Sequence, residues 1–195
     1  MNQSETESIP MIEPFLVGDL VYLRPLRYED LDGNYVHWLN DAEICRYNRH
    51  HVFPYTREQG EEYVRYARST KDALILAIVV KETGQHIGNV ALSSIDRYNQ
   101  RAEFGIIIGE KNSEKKGYAK EAGLLILKHA FLDLNLHRVF GGALEDHLMS
   151  NIAATFLGMK EEGMMREAVF KNGKFNNVIF YGLLKDEFLE QHEPQ

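Results

Sequence analysis

The spacing of apolar and polar positions changes several times along the chain, and each change marks an element. After a polar opening, "DLVYLRPL" (Asp19 to Leu26) alternates and is rich in β-formers, which predicts a first strand. In "YEDLDGNYVHWLND", Leu31, Tyr35 and Leu39 recur at helical spacing. A second helix is predicted in "TREQGEEYVRYARS", where Thr56 and Gln59 stand at capping-box positions and can each bond the other's backbone N–H. "ALILAIVV" (Ala73 to Val80) is apolar without a break, as in a buried strand, and "KETGQ" turns it at Gly84 towards a hairpin partner, "HIGNVALS". "RAEFGIII" (Arg101 to Ile108) predicts a further strand. "GYAKEAGLLILKHAFLDL" carries the strongest helical pattern. Tyr118, Ala122, Leu125 and Leu132 line one side of it, and Leu124, Leu127, Phe131 and Leu134 a second, a wide apolar arc. "HRVFGGAL" reads as a strand, and Ser150 stands where it would cap a short helix reaching Phe156. "MMREAVFKNGKFNNVIFYGLL" is two strands joined at Asn172-Gly173, a pair that tolerates the positive φ a tight hairpin needs.

This order gives an α+β (mixed α/β) fold, with helices packed on a largely antiparallel sheet. Residues 1–15 read as a tail or irregular lead-in and residues 16–190 as a single domain, without internal repeats. A chain of 195 residues that is 44% hydrophobic has enough apolar material for a substantial core. With 29 acidic and 22 basic residues its net charge is −7, a poor balance for a sequence-independent nucleic-acid binder, although a local basic patch stays open. Cys45 is alone, so neither an internal disulfide nor a cysteine metal cage is available. His50 and His51 lack partners at ligand spacing, which argues against a metal. The opening "MNQSETESIP" has no basic-then-apolar signal, and runs such as "LLIL" (Leu124 to Leu127) are too short to span a bilayer. A cytoplasmic protein without a membrane or nucleic-acid partner is expected.

"EKKGYAKEAG" (Glu114 to Gly123) begins a helix with lysines and a glycine instead of a serine or aspartate cap. A helix N-terminus presents unpaired N–H groups and a positive dipole end, so it holds anions well. Gly117 and Ala119 allow close backbone approach, and Lys111, Lys115, Lys116 and Lys120 add charge. The alternative is a solvated turn whose lysines are offset by Glu110, Glu114 and Glu121. Upstream, Glu103 interrupts an apolar strand. It is either an outward-facing surface residue or a general base, its pKa raised by partial burial.

The strand "AEFGIIIG", the loop "KKGYAKEA", the helix ending in "LHRVFGGAL" and the later "FLGMKEEG" resemble, in that order, the GNAT superfamily of acyl-CoA-dependent N-acetyltransferases. The similarity runs from about Val21 to Phe188 and is greatest to the subgroup of ribosomal-protein alanine and spermidine acetyltransferases, whose opening "VYLRPLRYEDLDGNYVHWLND" also matches. The resemblance implies a splayed sheet of about six to seven strands with helices on both faces. It also implies an acetyl-CoA co-substrate, with pantetheine along Ile106, Ile107 and Ile108 and pyrophosphate on the N–H groups from Lys116 through Gly117, Tyr118 and Ala119 to Lys120. Glu103 matches the family's strand base, acting through a water, and the amine attacks the thioester directly in a ternary complex.

Three positions depart from the family pattern. Glu114 and Lys115 stand where Gln or Arg and a small residue are usual. His147 replaces a pantetheine-binding asparagine, although Ser150 is retained. Ala154 occupies the place of a tyrosine acid, so either the thiolate leaves without an acid or another group, such as Tyr181, substitutes. By the same resemblance, the acceptor wall includes Trp38, Arg49, His51 and Tyr55, whose aromatics suit a nucleotide or sugar and whose Arg49 suits a phosphate. The other reading has Trp38 and Tyr55 packing helices. "HWLND" (His37 to Asp41) resembles members that acetylate nucleotide-linked amino sugars. A small-molecule amine, such as an amino sugar, is thus the expected acceptor, with a peptide or ribosomal-protein α-amine and a polyamine as rivals. A homodimer follows by analogy with the family. A non-catalytic CoA-binding module is the competing class.

Overall fold

A computed structural model describes residues 14–111 and 117–192. Strands β1 (Leu16–Val17), β2 (Val21–Pro25), β3 (Leu74–Val80), β4 (His86–Asp96), β5 (Arg101–Ile108), β6 (Arg138–Leu144), β7 (Lys160–Lys171) and β8 (Lys174–Leu184) form one sheet in the order β1-β2-β3-β4-β5-β6-β8-β7. The helices are α1 (Tyr35–Asn40), α2 (Arg57–Ser69), α3 (Tyr118–Leu132), α4 (Leu148–Phe156) and α5 (Lys185–His192), and a 3-10 turn at Tyr28–Asp32 lies between β2 and α1. The sheet has eight strands, not six to seven, because Leu16 and Val17 at the end of the polar lead-in pair with Leu23 and Tyr22. All neighbours are antiparallel except β5 and β6.

The unbroken apolar run of β3 has a direct structural cause. Side chains alternate faces along a strand. Leu76, Ile78 and Val80 therefore enter one core with α3, and Ile75, Ala77 and Val79 enter a second with α1 and α2. On α3 the buried face is Ala122, Gly123, Ile126, Leu127, Ala130 and Phe131. Leu132 and Leu134, read as part of the buried arc, are exposed because Leu132 lies off the face that buries Ala130 and Phe131, and Leu134 lies beyond the helix end at Leu132. The capping box of α2 forms as patterned, with Thr56 N–H donating to Gln59 Oε1 at 2.9 Å. Asn172 (φ 54°) and Gly173 (φ 77°) make the hairpin turn.

The second core contains a polar knot. Arg24 and Asp30, both buried, are joined at 2.6 and 2.8 Å, and His86 Nδ1 lies 3.6 Å from the same carboxylate. Burial raises the pKa of Asp30, but the Arg24 hydrogen bonds and the His86 charge outweigh it and hold the carboxyl below its ordinary value. Burial pushes His86 down despite that carboxylate.

Candidate active site

A strand pairing that stops short forms the cleft. β5 and β6 are in register only at Arg101↔Arg138, Ala102↔Val139 and Glu103↔Phe140. From there β5 follows β4 to Ile108 while β6 follows β8 to Leu144, so the two strands part. At the point of parting, a Cβ on Gly141 would lie 3.0 Å from the Phe104 carbonyl oxygen, so only glycine fits without displacement. Beyond Glu103, the edge of β5 turned away from β4 has no strand partner. Backbone polar groups on that edge are available to a ligand. Ile106 and Ile108 pack towards the first core and Ile107 towards the second, which anchors this edge from both faces. Glu103 is the last residue paired to β6 and is exposed, so the partial burial expected of it is absent. An exposed carboxylate at the apex is open to both water and an incoming amine.

The helix mouth lies beside this edge. Gly117 is the N-cap of α3 at φ 81°, a conformation that favours glycine, and no side chain caps the helix. The N–H groups of Tyr118, Ala119 and Lys120 begin the helix there. Two of the acids expected to offset the lysines are committed elsewhere. Glu121 accepts from the backbone N–H groups of Asp19, Leu20 and Val21 at 2.8, 2.8 and 2.7 Å. Glu110 accepts from Asn34 Nδ2 and Trp38 Nε1 at 2.7 and 3.1 Å. Lys120 stays exposed, its Nζ 5.5 Å from the ring centre of Phe156 on α4. Lys115 and Lys116 lie outside the described residues. Lys111 departs from the expectation: it is ion-paired with Glu43 and lies 3.4 Å from Asp41, so it ties the end of β5 to the segment after α1.

At the far end of β6, Ser150 is not a helix cap. α4 already begins at Leu148, and the Ser150 hydroxyl lies 2.7 Å from His147 Nδ1. His147 is stacked under Tyr47 with ring centres 4.3 Å apart and planes 10° from parallel, and burial lowers its pKa. Ala154 is buried. Tyr181 lies across from Gly141 in the sheet, and its hydroxyl donates to Asn151 Oδ1 on α4 at 3.2 Å. Burial, with a smaller contribution from the Glu161 charge, raises the pKa of that phenol.

The residues expected to wall the acceptor divide. Trp38 is 2% exposed, packed among second-core residues and against Gly109, and so is a packing residue and not a lining one. Tyr55 is half-buried against the same core, and its backbone and that of Val36 hold Asn40, closing the base of the segment 41–55. Arg49 and His51 are exposed on that segment. Two contacts there carry no sequence signal: Lys171 Nζ donates to His50 O at 2.8 Å, and Asn172 Nδ2 to Arg46 O at 3.2 Å. They join positions more than a hundred residues apart, which no local pattern reports.

A splayed strand pair beside an uncapped, glycine-led helix mouth is the architecture of an N-acyltransferase. The sequence matches the family described as acetyltransferase (GNAT) domain over residues 21–160, and the chain belongs to that family. It is 31% identical over 178 residues to the spermidine N(1)-acetyltransferase of Escherichia coli K12, a match spanning 89% of this chain and 90% of that protein. It is also 29% identical over 177 residues to the N-acetyltransferase p20 of Bacillus licheniformis, spanning 89% and 97%. The fold superposes on the crystal structure of spermidine N-acetyltransferase from Vibrio cholerae in complex with CoA and spermine, with a TM-score of 0.80, 24% identity, and coverage of 88% of this chain and 99% of that one. Among the described residues no helix is long and apolar enough to cross a membrane.

Proposed function

We propose that the protein transfers an acetyl group from acetyl-CoA to a primary amine of a small molecule, by direct attack within a ternary complex. The observation that carries this reading is the parting of β5 from β6 after Glu103 beside the open helix mouth at Gly117. Acetyl-CoA, when bound, supplies the activated carbonyl. The unpaired edge of β5 from Phe104 to Ile108 holds the pantetheine arm by backbone hydrogen bonds, and the N–H groups of Tyr118 to Lys120 hold the pyrophosphate. Glu103 accepts the proton that the amine loses, directly or through a water. A backbone N–H at the splay faces the charge that develops on the carbonyl oxygen. With Ala154 in place of a tyrosine, the hydroxyl of Tyr181, which donates to Asn151 on α4 in the free protein, is the proton donor for the leaving thiolate.

Two acceptor chemistries fit. A polyamine is the one that the spermidine acetyltransferases among the relatives support. A nucleotide-linked amino sugar is supported by the exposed arginine and histidine of segment 41–55. Thermal unfolding with and without CoA tests the cleft itself, since a ligand held at a hundred times its Kd stabilises the native state by about 2.7 kcal/mol. A rise in Tm at millimolar CoA is expected, and no shift overturns the reading. A screen of acetyl-CoA consumption over polyamines, nucleotide-linked amino sugars and N-terminal peptides then identifies the acceptor.

A further inference from the structure

Segment 41–55 crosses the open end of the cleft. β5 and β6 are parallel, so their C-terminal ends lie on the same side of the sheet. Just past the end of β5, Lys111 grips Asp41 and Glu43, and just past the end of β6, His147 stacks under Tyr47. The β7–β8 turn, which lies beside the end of β6 because β8 is antiparallel to it, reaches the same segment through Lys171 and Asn172. The segment is thereby a rim over the mouth of the splay, fixed at three points.

Its charge is unexpected in a chain of net −7. Arg46 and Arg49 are exposed, His50 and His51 follow them, and Lys171 is brought in from the turn. Several of the described carboxylates near the rim are already engaged. Asp41 and Glu43 pair with Lys111, Asp146 pairs with Lys174 at 2.7 Å, and Glu145 accepts from Asn177 at 2.8 Å. Among the described residues, Arg46, Arg49 and Lys171 make no ion pair. Arg46, whose guanidinium lies over the Tyr47 ring at 5.4 Å, and Arg49 share this one exposed segment, and Lys171 reaches it at the His50 carbonyl, so positive charge gathers on the rim without a paired anion. Next to them Phe53 is 80% exposed and offers an aromatic face.

We propose that this rim is a cationic subsite for the phosphate-bearing part of the acceptor, a nucleoside diphosphate attached to the amine. The guanidinium groups of Arg46 and Arg49 and the ammonium of Lys171 pair with the diphosphate, and Phe53 stacks on the base. A polyamine meets like charge at the same rim and is disfavoured. This inference rests on the acetyltransferase reading of the cleft and adds the class of acceptor to it.

UDP serves as the probe, titrated calorimetrically into the full chain saturated with CoA. Binding is expected, weakening as salt is raised. The exposed double variant Arg46→Ala/Arg49→Ala, with its Tm checked against wild type, should lose at least tenfold in UDP affinity and keep its CoA affinity, and Lys171→Gln should lose less. Absence of UDP binding at millimolar concentration overturns the subsite. So does a loss of CoA affinity in the double variant, which would assign the arginines to the carrier, or a higher kcat/KM for spermidine than for a UDP-linked amino sugar. If CoA fails to bind while UDP binds, the acetyltransferase reading falls and the anion site stands.

Discussion

Strand β5 and segment 41–55 both face the cleft, yet different interactions hold them in place. β5 lies between two cores, with Ala102, Phe104, Ile106 and Ile108 on one side and Ile107 on the other, and what it offers a ligand is backbone. The rim offers side chains. Its position depends on a few polar ties from distant parts of the chain, while the polar knot of Arg24, Asp30 and His86 lies beneath α1, the helix that precedes it. A backbone site tolerates changes of side chain around it, which is consistent with a family cleft at positions where this sequence departs from the usual residues. A side-chain site is free to change its chemistry between relatives on the same scaffold, because its residues contribute little to the core.

The largest effect expected from disturbing this contrast comes from the knot. Asp30→Ala leaves the Arg24 guanidinium buried without its partner and should destabilise the protein by about 3–5 kcal/mol in chemical denaturation. A much smaller loss would mean that the buried guanidinium finds another partner or water when Asp30 is removed. The knot also sets a pH dependence. Both Asp30 and His86 have folded-state pKa values below their ordinary ones, so each contributes stability at neutral pH that is lost on acidification. Tm should therefore start to fall as pH drops below about 6.5, where unfolded histidine takes up a proton, and fall further below about 4 as unfolded aspartate does. A Tm that rises between pH 7 and pH 5 contradicts this.

At the apex of the splay, Glu103→Gln should reduce turnover by about 10²-fold while leaving CoA binding intact, within the range for loss of a general base. Unchanged turnover moves proton removal to another group. Tyr181→Phe keeps the buried ring but removes the donor, and should cost roughly tenfold in kcat, equivalent to about 1.4 kcal/mol. If only Tm changes, the hydroxyl serves Asn151 and not the leaving thiol. The smallest effect is expected at the helix mouth. Lys120→Glu reverses an exposed charge near the α3 N-terminus and should raise the acetyl-CoA KM by roughly three- to tenfold, as interactions of about 1 kcal/mol allow. No change would leave the backbone N–H groups as sole holders of the pyrophosphate.

Much of the fold is legible from local pattern. β3 is recognisable because a strand buried on both faces must be apolar throughout, and the hairpin because Asn172 and Gly173 accept positive φ at little cost. Leu132 and Leu134 mislead because the apolar arc is wider than the face that packs, and because periodicity does not mark where the helix ends. Trp38 misleads in another way. Its type and its place near the acceptor wall allow either stacking or packing, and only its contact with Gly109 decides for packing. Lys111 looks like a phosphate ligand on the strength of neighbouring lysines, whereas its salt bridges depend on Asp41 and Glu43, far upstream.

By itself the sequence determined the succession of elements apart from β1 and α5, the two-sided core and the glycine-led helix, since each follows from interactions within a few residues or from simple apolar periodicity. Tertiary structure alone decided which carboxylates neutralise which lysines, that Tyr47 closes on His147, and that Lys171 and Asn172 reach the backbone of His50 and Arg46. Those outcomes depend on distances of a few ångströms between residues remote in the chain. Charge pairing acts over such distances, and no pattern of neighbours records it.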